Sequence, residues 1–115
     1  ASQHPGASAA VAAVGESPGS IGYAGYHHLT PNVKAVSLIN AEGQAIAPNE
    51  NSVQSGNYPL SRYLYLYVNA PPEQPLPAAE KALLDLIFSP DGQQIARSAG
   101  FVPLSETVRQ QQAHW

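Results

Sequence analysis

Cysteine is absent from all 115 residues. That excludes disulfides, thiolate metal sites and thiol catalysis, and it suits an extracytoplasmic protein. Methionine is absent too, even at position 1. Two readings are open here: an initiator Met removed before Ala1, or a chain that is the tail of a longer protein. No apolar run is long enough to span a bilayer. The opening ASQHPGASAA has no basic stretch followed by an apolar one, so it does not read as a signal peptide. Positive charge is scarce, with five Lys and Arg against eight Asp and Glu and a net charge of −3. Such a balance offers no basic field to nucleic acid or to an anionic membrane. The length suits one domain with a modest core.

What is present divides into a loose start, a middle rich in β signals and a helical end. Ser8 to Val14 reads as a short helix ending near Gly15. Pro18-Gly19 is a turn signal, and SIGYAGY after it reads as a strand. VKAVSLI, residues 33–39, is a second strand by its β-branched and apolar content, and NAEG, 40–43, is a turn. PNENSVQSG, 48–56, is polar and loop-like, with room for one helical turn. YLYLYV, 63–68, is the strongest strand signal. It is aromatic or apolar on both faces, which predicts burial on both sides. From Leu76, the spacing of Ala79, Leu83, Leu86 and Ile87 predicts a helix, and Leu84 and Phe88 widen its apolar stripe. Ser89-Pro90-Asp91 opens another helix: Ser89 as N-cap, Pro90 at the first position, Asp91 at the positive end of the dipole. Gly100 fits its left-handed C-terminal stop, with Phe101 folding back. Ser105 caps a last helix to about Gln112.

Gly15-Glu16-Ser17-Pro18-Gly19 matches the G-x-S-x-G pattern of serine-hydrolase elbows. The elbow needs a strand before the serine, a helix after it, and a backbone N–H on the next residue for the oxyanion. Here that residue is Pro18, which has no N–H, and the predicted helix and strand are in inverted order. Ser17 therefore reads as part of a turn before a strand. His27 and His28 are adjacent, so on a strand they point to opposite faces and chelate a single metal poorly. No catalytic constellation, metal site or cofactor motif emerges. Four of the six tyrosines fall between 58 and 67, which reads as packing before it reads as a ligand surface. Arg62 is the one charged residue entering the YLYLYV segment. It can pair with a carboxylate at a strand end or face an anion.

Taken in order, SPGSIGYAGY (17–26), VKAVSL (33–38), NYPLSRYLYLYV (57–68) and LLDLIFSPDGQQIARSAGFVPL (83–104) resemble the C-terminal part of periplasmic phosphate-binding proteins. These are type II solute receptors of ABC-type phosphate importers, with secreted DING-type relatives. The resemblance runs from about Val11 to Leu104. It implies an α/β fold made of two lobes on a strand hinge, closing on the ligand like a clamp. Residues 1–57 would then be the end of the second lobe, and 58–115 the hinge strand and C-terminal helices of the first. The implied ligand is phosphate or a similar oxyanion, and the implied partner is an ABC permease. A periplasmic or secreted location follows by the same analogy. The chain is expected not to be an enzyme, because neither a metal cluster nor a nucleophile with a base is visible in the sequence.

The family's main phosphate motifs are a Gly-rich opening, a buried Asp, and an Arg followed by Ser-Gly-Thr at a helix N-terminus. This sequence has no Ser-Gly-Thr, and its Ser55-Gly56 continues with Asn57. Ser61 and Arg62, near the inferred hinge, remain as the cleft candidates. The expectation is a receptor portion unable to bind phosphate alone, completed by a missing N-terminal portion or by another copy of the chain. Its side chains Leu83, Leu86, Phe88 and 63–68 should then face a partner or a substantial core. Two alternatives stand beside it: a free-standing, self-associating interaction module, or a fragment of a DING-like secreted phosphatase.

Overall fold

The computed structural model describes residues 2–71 and 73–114. It is rich in helix: α1 (Ala7–Glu16), a 3-10 turn (Tyr26–His28), strands β1 (Leu38–Ile39) and β2 (Ala45–Ile46), then α2 (Glu50–Gln54), α3 (Ala78–Ile87), α4 (Pro90–Ser98) and α5 (Glu106–Gln112).

Where local chemistry decides, the expected element forms. At Pro18-Gly19, Gly19 takes φ 83° and Ser20 N–H donates to Ser17 O at 3.1 Å, a type II turn. The NAEG turn closes a hairpin in which Leu38 pairs with Ile46 and Ile39 with Ala45, antiparallel. Asn40 organises it: its Oδ1 accepts from the N–H of Glu42 and of Gln44, and Gly43 sits at φ 81°. The polar 48–56 stretch contains α2, started by a reciprocal cap. Asn49 accepts from Ser52 N–H, and Ser52 Oγ accepts from Asn49 N–H.

The C-terminal helices show why their ends fall where they do. Ser89 caps α4 by accepting from Gly92 N–H at 3.0 Å, with Pro90 just inside. At the far end Gly100 has φ 87°, Gly100 N–H donates to Arg97 O, and Phe101 N–H donates to Ala96 O. That pair of bonds is a Schellman stop. Ser105 caps α5, accepting from Val108 N–H. Three side chains bond the carbonyls at the end of α3 and at its cap Phe88, where intrahelical N–H donors run out, and Ser89 N–H also donates to Leu86 O. Ser89 Oγ donates to Leu86 O (2.6 Å), Gln93 Nε2 to Ile87 O (2.8 Å) and Arg109 Nη1 to Phe88 O (2.9 Å). Gln93 Oε1 also accepts from Leu104 N–H, so one amide joins α3, α4 and the 101–105 segment.

Where a strand needs a neighbour, the expectation fails. SIGYAGY forms no strand: it has no regular structure up to Gly25, with Ile21 and Tyr23 exposed, and then enters the 3-10 turn. Of 33–39 only Leu38 and Ile39 pair. YLYLYV forms no strand and is open to solvent, from 47% at Val68 to 92% at Tyr67, against the predicted two-sided burial. The physical reason is common to all three. A strand is fixed by hydrogen bonds to another strand, and the described residues supply one short hairpin.

The consequence is a sparse core. Leu84 is the one large hydrophobic residue buried among the described residues, while Leu83 and Leu86 on the same helix stay about half exposed. The radius of gyration is 17.6 Å, against about 13 Å for a compact chain of this length. Accessible surface is 8922 Å², against about 6,000 Å² expected for a folded chain of 12.1 kDa, an excess of about 2,900 Å².

Candidate functional site

The turn Tyr58-Pro59-Leu60-Ser61 presents both cleft candidates. Ser61 N–H and Ser61 Oγ both donate to Tyr58 O, at 2.9 and 2.7 Å. The Ser61 hydroxyl hydrogen is thereby committed to the turn, and its oxygen is left as an acceptor. Arg62 follows, exposed, and its one hydrogen bond is a long Nη1 contact to Tyr63 O at 3.4 Å. It makes no ion pair among the described residues. Of the two readings of Arg62, the strand-end salt bridge is therefore corrected: the guanidinium has donors to spare.

Ser61 and Arg62 border the same open groove, of about 330 Å³. Its other walls are Tyr63 and Tyr65, the end of α2 at Val53 and Gln54, and residues between Val102 and Val108. Gln54 Nε2 ties the walls together by donating to the carbonyl of the buried Pro103 at 2.9 Å. A groove with one cation and one hydroxyl acceptor can attract an anion at its rim. A second groove, of about 200 Å³, runs beside α1 past Glu16, Thr30 and Asn32, and carries an acid instead of a base.

The other singled-out residues do not assemble into a site. Ser17 opens the type II turn, and its carbonyl accepts from the N–H and hydroxyl of Ser20. His27 and His28 lie on the 3-10 turn and not on a strand, so they are neighbours, not opposites: their ring centroids are 4.1 Å apart. His27 also packs on Phe101 at 4.6 Å, and His28 Nδ1 lies 3.1 Å from Ser8 Oγ. Among the described residues no cluster of three or more His, Asp or Glu is placed to hold a metal. No helix among them is long and apolar enough to cross a membrane.

The placement of Val102–Val108 beside Ser61 and Arg62 was not legible from sequence spacing. Gln54 was the available signal, as a polar residue at the end of a helical turn.

No family model matches the chain. Curated relatives do. Phosphate-binding protein PstS of Pseudomonas aeruginosa is 41% identical over 107 residues, 92% of this chain and 33% of the relative. Protein SphX of Synechococcus elongatus is 31% identical over 98 residues, covering 82% of this chain and 28% of the relative. Phosphate-binding protein PstS of Staphylococcus aureus is 35% identical over 80 residues, covering 67% and 21%. The chain thus spans about a third or less of the length of the curated relatives it matches. Over nearly its whole length it is homologous to the phosphate-binding proteins, as a stretch corresponding to about one third of one.

Proposed function

We propose that this chain is the C-terminal portion of an extracytoplasmic receptor that binds phosphate for ABC-type uptake, and that alone it does not hold phosphate. The observation that carries the reading is the match to PstS over 92% of the chain but 33% of the relative. The exposed surface agrees with it. About 2,900 Å² beyond that of a compact chain is more than a standard interface takes from one partner, about 800 Å². In this reading the missing N-terminal portion covers Leu83, Leu86 and residues 63–68. Residues 1–57 close the second lobe of a type II periplasmic-binding fold, and 58–115 supply the hinge strand and first-lobe helices. Arg62 and Ser61 then border the cleft, with Arg62 the residue of this chain that draws the anion. The protein acts by binding and handover to a permease, outside the cytoplasm, with no catalytic step.

Calorimetric titration of the 115-residue chain with phosphate, with sulfate as control, tests the incompleteness. The expected result is no saturable heat with either anion. Saturable, phosphate-selective binding that Arg62→Ala abolishes would overturn the incompleteness and identify the groove as a working site.

A further inference from the structure

The groove that Ser61 and Arg62 border draws walls from both halves of the chain. Val53 and Gln54 come from residues 1–57, and the wall between Val102 and Val108 from residues 58–115. Three side chains of the first half reach one short stretch of the second. Glu50 Oε1 pairs with Arg97 Nη2 at 2.6 Å. Gln54 Nε2 donates to Pro103 O at 2.9 Å. The His27 ring packs on Phe101 with centroids 4.6 Å apart. The backbone at Gly100 comes so near that a Cβ there would lie 2.5 Å from His27 Cβ. All of these contacts fall within residues 97–103, at the end of α4 and just after it.

These contacts have the chemistry of a catch and not of a core. The Glu50 and Arg97 side chains are about half exposed, His27 is exposed, and no residue from 97 to 101 is buried. Polar, wetted contacts of this kind part at little cost, as surfaces between moving domains do. We propose that residues 97–103 form a latch that holds the two lobes closed over bound phosphate, with Glu50, Gln54 and His27 as the catches on the second lobe. The latch rests on the receptor reading, since it needs residues 1–57 and 58–115 to belong to different lobes. A bond between two walls of a cleft forms only when those walls are together. It therefore stabilises the closed form and is absent from the open one. The latch slows the release of phosphate and leaves its capture by the open form unchanged. Glu50, Gln54 and Arg97 are positioning residues here: they act on the ligand through closure and do not touch it.

The test uses a complete receptor in which these residues replace the matching third of PstS from Pseudomonas aeruginosa. Phosphate association and release are followed by stopped flow, with Kd from calorimetry and sulfate as control. Gln54→Ala removes a hydrogen bond whose usual net size corresponds to about a fivefold change in an equilibrium constant. It should speed release by up to about fivefold and raise Kd by the same factor, with association unchanged. Arg97→Glu should speed release by about twofold to fivefold at low salt, and the effect should fade at about 1 M salt. Adding Glu50→Arg to Arg97→Glu restores the ion pair in reverse and should restore slow release. Gln94→Ala, on α4 but outside these contacts, should change nothing. Unchanged release in both Gln54→Ala and Arg97→Glu, in a receptor that still binds phosphate, overturns the latch and leaves the receptor reading standing. So does a lowered unfolding temperature with release unchanged, the mark of packing alone. A complete receptor that folds but binds no phosphate overturns the receptor reading, and the latch with it.

Discussion

Replacing Gly92 by alanine sets two rules of protein stability against each other. Alanine is the better helix former by about 1 kcal/mol, and Gly92 lies inside α4, so propensity alone predicts stabilisation. The packing predicts the reverse. A Cβ at Gly92 would lie 1.9 Å from Leu86 O and 2.9 Å from Ile87 O. Both are backbone atoms at the end of α3 and cannot swing aside. Relief requires α4 to move away from α3. That motion strains the bond from Gly92 N–H to Ser89 Oγ, and the bond from Gln93 Nε2 to Ile87 O. Overpacking costs about 1–3 kcal/mol, and a weakened cap adds about 1 kcal/mol. After the propensity gain, net destabilisation should be about 1–3 kcal/mol. Denaturant unfolding followed by far-ultraviolet circular dichroism measures it, with Gln94→Ala as an α4 control that adds no atom at the contact. Neutral or stabilising behaviour of Gly92→Ala would refute the close approach of α3 and α4.

Leu84→Ala should destabilise by about 2–3 kcal/mol, at the low end for buried leucines because so little packs around it. The same change at half-exposed Leu83 should cost much less in the isolated chain, as read from paired unfolding curves. Acid should loosen α5. Hydrogen bonds from Arg109 and then Gln110 hold the Glu106 carboxyl below its ordinary range. A carboxylate with a lowered folded pKa stabilises fully above its unfolded value, about 4.3, and that contribution is lost as pH falls through the folded value. The stability difference between the native chain and Glu106→Gln should therefore shrink as pH drops below the usual Glu range. A difference constant across that window would contradict the pairing.

The sequence was most legible where a few adjacent residues decide the outcome. Ser89 with Pro90, Gly100 with Phe101, Ser105, Pro18-Gly19 and Asn40 to Gly43 all act through hydrogen bonds spanning two to five residues, and all form as expected. The β signals in 21–26 and 63–68 are equally strong in composition, but pairing is a non-local event and composition cannot provide the second strand. The result is chain without strand pairing and with its side chains in water. The seals on the end of α3 were illegible for a related reason: Gln93 and Arg109 look like ordinary surface residues until the fold brings them to Ile87 and Phe88. For the candidate site, Ser61 and Arg62 were named from sequence as candidates, and the structure places both on one groove. Their opposite wall, Val102 to Val108, depended on a contact across more than forty residues.

The central claim, that this chain is a working portion of a phosphate receptor, is tested most directly by a chimera. These residues replace the matching third of PstS from Pseudomonas aeruginosa, and phosphate binding is measured by calorimetry with sulfate as control. The account predicts a folded chimera with saturable, phosphate-selective binding and no free Leu83–Leu86 face. A chimera that folds as a single cooperative unit yet gives no phosphate-selective heat would contradict it.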